Sequence, residues 1–132
     1  MEPNGLTVTA LYSGSLALWF LVLSYRVVVR RRSGFPLGDG GNKGMLRVIR
    51  GQANFAEYVP LALLMLAVLE LNGTSLYLLH GLGLALLAGR LLHGYALSFT
   101  QHFGFGRRWG TALTYGVLIV EAVMCLYQAV MP

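Results

Sequence analysis

Four long apolar runs organise the chain. The first extends from about Leu6 to Val29, with no charge between Leu6 and Tyr25. The second starts near Met45, is continuously apolar from Val59 to Leu69 and stops near Leu71. The third covers about Ser75 to Ser98, and the fourth about Arg108 to Val130. At 1.5 Å per residue, about 20 residues cross the roughly 30 Å hydrocarbon layer of a bilayer. Each run therefore predicts a membrane-spanning helix (6–29, 45–71, 75–98 and 108–130), and four such spans occupy nearly all of the 132 residues. The expected fold is an all-α membrane protein, a four-transmembrane-helix bundle in a single domain over 1–132. Between the runs the chain changes character. Ser33 to Lys43 is dense in turn residues, and its Gly38-Asp39-Gly40-Gly41 stretch is too short for a phosphate loop and lacks the Lys-Ser/Thr. Gly73 reads as a helix stop. Phe99 to Gly106 is a linker holding Gln101 and His102. Met1 to Asn4 lacks the basic region of a signal peptide, so the first helix is expected to be retained.

Composition supports lipid as the solvent. Hydrophobic residues make up 56% of the chain and charged residues 11%, against about 25% charged in soluble domains. The net charge of +5 does not point to nucleic acid, because the basic residues flank apolar runs. Arg26, Arg30, Arg31, Arg32, Lys43, Arg47 and Arg50 surround the first linker, and Arg90, Arg107 and Arg108 the third; these are all ten Lys and Arg. The second linker and both ends of the chain have none. The positive-inside rule then places both basic linkers in the cytoplasm and both termini outside. The single cysteine, Cys125, excludes a disulfide framework within one chain and reads as a small hydrophobe. No His and carboxylate pair has metal-ligand spacing, so no metal is expected.

One constellation carries chemistry. Arg50, Asn54 and Glu57 stand at i, i+4 and i+7, within one narrow arc at about 100° per residue. Arg47 extends the arc one turn toward the basic side, and Tyr58 flanks it. A charge facing lipid costs several kcal/mol, so this stripe must face protein or water. The plain alternative is glue between helices, at about 1 kcal/mol per contact. Against that, the third helix brings Arg90, His93 and Leu97 to one face at the same depth, and Arg107 and Arg108 open the fourth on the same side. A site this rich in arginine suits a polyanionic ligand with carboxylates or phosphates, while the membrane delivers an apolar partner from the side. If the anionic partner carries a thiol, a nearby Arg favours the reactive thiolate.

The segment Arg50-Gly51-Gln52-Ala53-Asn54-Phe55-Ala56-Glu57-Tyr58-Val59-Pro60 resembles the second-helix signature of the MAPEG superfamily, the membrane-associated proteins in eicosanoid and glutathione metabolism. Gly89-Arg90-Leu91-Leu92-His93 is similar to the third-helix motif of the prostaglandin synthase branch, and Leu37 to Asn42 looks like the bacterial branch. The resemblance covers about Val27 to Val130. It implies a homotrimer, with glutathione as co-substrate between neighbouring subunits near the cytoplasmic face, in a bacterial inner membrane. By position, Arg50, Asn54 and Glu57 would bind the glutathione backbone, with Arg47 and Tyr58 beside them. Arg90 and His93 would line the pocket from the third helix, and Arg26 or Arg30 would hold a carboxylate. Arg107 or Arg108 would stabilise the thiolate. Where the family's synthases have a glutathione-contacting Tyr one turn beyond the third-helix His, this chain has Leu97.

The expected activity is a glutathione-dependent transferase or peroxidase acting on lipophilic electrophiles, in the manner of detoxification. The alternative is a non-catalytic glutathione- or lipid-binding membrane protein on the same scaffold, which the Leu97 substitution keeps in view. A small drug-proton antiporter is disfavoured, because the first helix has no deep acid. Glu121, near the middle of the fourth run, is expected to be hydrogen-bonded inside the bundle. Glu70 is expected at the membrane interface and His80 as a packing residue, with Gly81, Gly83 and Gly89 allowing close helix contact.

Overall fold

The computed structural model describes residues 5–34 and 37–131. Met1 to Asn4 and the linker residues Phe35 and Pro36 lie outside the described residues. Four helices follow in order: α1 (Thr7–Arg32), α2 (Lys43–Leu71), α3 (Leu76–Phe99) and α4 (Gly104–Val130). All four are long and apolar enough to span a membrane. They alternate in direction, so the end of α1, the start of α2, the end of α3 and the start of α4 share one end of the bundle, the basic end.

The helix ends show what local sequence does and what packing does. Asn42 caps α2 locally, its side chain accepting from the Met45 N–H at 2.9 Å, as Asn does at this position. The start of α4 has no side-chain cap. It nevertheless begins four residues ahead of Arg108, through Gly104-Phe105-Gly106, which composition alone marks as linker. Packing overrides it: Phe103 meets Tyr95 edge-on with centroids 6.2 Å apart, and a Cβ on Gly106 would sit 2.6 Å from the Phe103 ring. The first turn of α1 is capped from a distance. Glu70, at the end of α2, accepts from the Val8 and Thr9 N–H groups and the Thr9 hydroxyl, each at 2.7 Å. Glu70 is thus a structural cap for α1.

In lipid the hydrophobic effect does not drive helices together, so close packing and hydrogen bonds must. α2 and α3 form the middle of the bundle, and among the described residues α1 and α4 do not touch. Leu16, Leu66, Leu79 and Leu86 are among the fully buried core side chains. Each contact of α3 is cut by glycine. Gly83 receives the Tyr12 ring and Gly94 the Trp19 and Leu23 side chains, both from α1. Gly51 of α2 faces Leu97. Gly89 and Gly110 face each other, and a Cβ on Gly110 would come 2.6 Å from the Gly89 carbonyl oxygen. Gly81 has no neighbour within 4 Å of where its Cβ would be, so its expected packing role is not found. At the end opposite the basic one, Tyr12 bonds His80 Nδ1 at 2.9 Å. Gln128 joins the α2–α3 turn there through Asn72 and Thr74.

Candidate functional site

The site is assembled at the basic end by the Gly89–Gly110 crossing. With no side chain on either residue, α4 lies directly against α3, and His93, one turn after Gly89, packs on Gly110. Arg107, one turn before Gly110, is thereby brought beside His93. The Gly51–Leu97 contact sets α2 against the same stretch of α3. The result is a cavity of about 190 Å³ lined by Leu46, Arg47, Arg50 and Asn54 of α2, His93 and Leu97 of α3, and Arg107 of α4. Three helices thus supply three arginines, an amide and an imidazole to one volume.

Arg90 lies immediately inward and is only 1% exposed. Its Nη2 meets His93 Nδ1 at 3.3 Å, and its guanidinium stands over the Phe55 ring at 5.8 Å. Its Nε has no partner among the described residues. A guanidinium offers five donors and no acceptor, and a buried charge without a counter-charge is costly. Arg90 is therefore a buried donor set with its Nε unpartnered among the described residues. Phe55 also stacks on Phe20, with centroids 5.2 Å apart. Beyond that stack, an apolar furrow of about 310 Å³ between α1 and α2 runs past Leu16, Val59 and Leu63. Phe55 thus lines the apolar furrow while its ring also meets the Arg90 guanidinium.

Arg50 and Glu57 pair directly, Nη1 to Oε1 at 3.4 Å, with their side chains 49% and 50% exposed. Tyr58, half-buried and one turn deeper than Asn54, meets Tyr115 of α4 with the two hydroxyls 3.0 Å apart and the rings edge to face at 5.5 Å.

Arg26, Arg30 and Arg108 are not brought into this pocket. Arg26 donates from Nε and Nη2 to the Ser98 carbonyl at 3.0 and 2.6 Å and from Nε to the Ser98 hydroxyl at 2.8 Å, and stands over the Phe99 ring. Arg47 lines the pocket but also donates to the carbonyls of Ala96 at 2.8 Å and Thr100 at 3.3 Å. α3 has no basic residue in its own last turn, and these two arginines satisfy its terminal carbonyls instead. Arg30 lies beside Gly44 at the start of α2. Arg108 is exposed and turns back toward Gly104. Of the two arginines that the sequence left open, Arg107 lines the pocket and Arg108 does not. Tyr115 went unremarked in the sequence, although it follows Arg108 at i+7, within about 20° around the helix. Glu121 is 0% exposed, and neither carboxyl oxygen has a partner among the described residues, contrary to the hydrogen-bonded role expected for it.

Comparison with known proteins adds an independent line. The MAPEG family profile matches residues 9–127. The chain is similar to the inner membrane protein YecN of Escherichia coli strain K12, with 34% identity over 121 residues covering 91% of each chain. The YecN of Escherichia coli O6:H1 gives the same figures. No solved structure matches.

Proposed function

Because the chain belongs to the MAPEG family, we propose that it is a glutathione-dependent membrane transferase or peroxidase that conjugates or reduces lipophilic electrophiles. The observation that carries this reading is Arg90, buried with its Nε unpartnered among the described residues, behind a pocket that adds Arg47, Arg50, Asn54, His93 and Arg107. Glutathione carries two carboxylates and a thiol. Arg90 and Arg50 take the carboxylates by forked hydrogen bonds. Arg107, at the pocket edge formed by α4, lowers the thiol pKa and holds the thiolate, the nucleophilic form. The electrophile arrives from lipid, since its solubility confines it there.

Two features favour completion of the site by further copies of this chain, as a homotrimer. The cavity of about 190 Å³ falls short of the roughly 300–1,000 Å³ of small-molecule sites. The half-exposed Arg50–Glu57 pair lies on a membrane-spanning helix, where a charge needs protein or water beside it. The positive-inside rule places the basic end in the cytoplasm and both termini on the far side of the membrane.

Titration calorimetry on the purified protein tests the reading. Glutathione is expected to bind, and Arg90→Leu is expected to lose at least about tenfold in affinity, the loss of one charge-assisted hydrogen bond. Absence of binding by the wild type overturns the proposal. Leu97, an apolar side chain in the pocket wall, favours the second reading, a binding protein without turnover. Glutathione binding with no conjugation of a halonitrobenzene selects that reading.

A further inference from the structure

Tyr58 and Tyr115 lie deeper than the polar pocket. On α4, Tyr115 is eight residues from Arg107, about 12 Å further along the helix and about 80° around it, with Thr111 between the two. On α2, Tyr58 is four residues beyond Asn54, about 6 Å. The hydroxyl pair at 3.0 Å thus lies deeper along the two helices than the anion pocket, and Tyr115 is 46% exposed. Arg90 and Glu57 are within electrostatic range of Tyr58.

Two phenols bring two hydroxyl protons to this contact, and a single hydrogen bond between them uses one. The second O–H points elsewhere. At hydrocarbon depth there is no water to accept it, and an unsatisfied hydroxyl there is costly. Tyr115, the more exposed of the two, is the one whose proton is turned outward when Tyr58 donates to it. That arrangement also polarises the outward O–H, because a hydroxyl that accepts a hydrogen bond becomes a stronger donor.

Resting on the glutathione reading, we propose that Tyr115 is an electrophile-binding catalytic residue. Its hydroxyl, backed by Tyr58, binds the oxygen of the lipophilic partner and selects electrophiles in which negative charge develops on oxygen, such as α,β-unsaturated carbonyl compounds. The thiolate sulfur forms a bond to the β-carbon. The carbon–carbon π pair shifts to give an enolate whose charge rests on the carbonyl oxygen. Tyr115 donates to that oxygen as the charge appears and passes its proton to the enolate. The proton that the thiol released on ionisation restores the phenol. The net change is addition of S–H across the double bond, with no oxidant or reductant. The donor is aimed where charge develops rather than where it rests in the substrate, which is the arrangement that accelerates a step.

The test compares wild type, Tyr115→Phe and Tyr58→Phe with glutathione and two electrophiles, an α,β-unsaturated ketone and benzyl chloride, whose displaced charge leaves on chloride. Tyr115→Phe is expected to lower kcat/KM for the ketone by about 100-fold, the order found for loss of one oxyanion donor. The loss on benzyl chloride is expected to be far smaller than on the ketone, and the Kd for glutathione to move little. Tyr58→Phe, which keeps the Tyr115 hydroxyl, is expected to give a smaller loss on the ketone alone. Equal losses on both electrophiles, or none on the ketone, overturn this proposal while glutathione binding stands. Absence of glutathione binding by the wild type overturns both.

Discussion

Arg107 and Arg108 are neighbours in the chain and serve different surroundings. Both are exposed, but Arg107 lines the cavity with His93 and Arg50, whereas Arg108 turns toward Gly104. With glutathione bound, Arg107→Ala is therefore expected to abolish the ultraviolet absorbance of the thiolate and lower conjugation by about 100-fold, while Arg108→Ala leaves both intact. The reverse pattern would assign the thiol to Arg108. The spacing of side chains along the sequence made the α2 stripe legible, since Arg50, Asn54 and Glu57 recur at helical intervals. It did not reveal Arg26, because that side chain answers to the Ser98 carbonyl, and backbone acceptors leave no mark in a pattern of side chains. Arg47 is half legible for the same reason: it lines the pocket as its spacing indicates, and it also serves the Ala96 and Thr100 carbonyls.

The Glu70 cap shows how one element depends on another. α1 has no acidic residue in its first turn and no side-chain cap at Leu6. It donates three hydrogen bonds to Glu70 of α2 in their place. Glu70→Gln keeps the shape but removes the negative charge from the positive end of the helix dipole, and its amide nitrogen cannot accept. A loss of about 1–2 kcal/mol is expected, read from detergent-denaturant unfolding, with faster hydrogen exchange confined to the first turn of α1. Exchange unchanged at Val8 and Thr9 would refute the cap. The four helices themselves were legible because apolar runs of spanning length have few other solutions in lipid. The start of α4 was not, because glycines at 104 and 106 read as a break until Phe103 and Leu92 pack against Gly106. The Gly89–Gly110 crossing was half legible: Gly89 stood out on α3, but its partner on α4 is defined only by the register of the two helices.

At the scale of the whole molecule, all basic side chains gather at one end while Asn72, Thr74 and Gln128 join the helices at the other. In a Cys125→Ser background, Asn72→Cys is expected to react with a membrane-impermeant maleimide in intact cells and Asn42→Cys only after lysis. The opposite labelling would invert the topology drawn from positive-inside. The arginine caps of α3 bear on how such a molecule is made. Arg26 and Arg47 both precede α3 in the chain, and synthesis delivers N-terminal segments first. When the last carbonyls of α3 emerge, their donors are already in the membrane on α1 and α2. α3 is thus finished by helices older than itself, and the flat face at Gly89 is left for α4, the last to arrive. Biogenesis therefore ends with the step that brings Arg107 to His93, so a nascent chain lacking α4 holds the arginines of the first three helices and has no pocket.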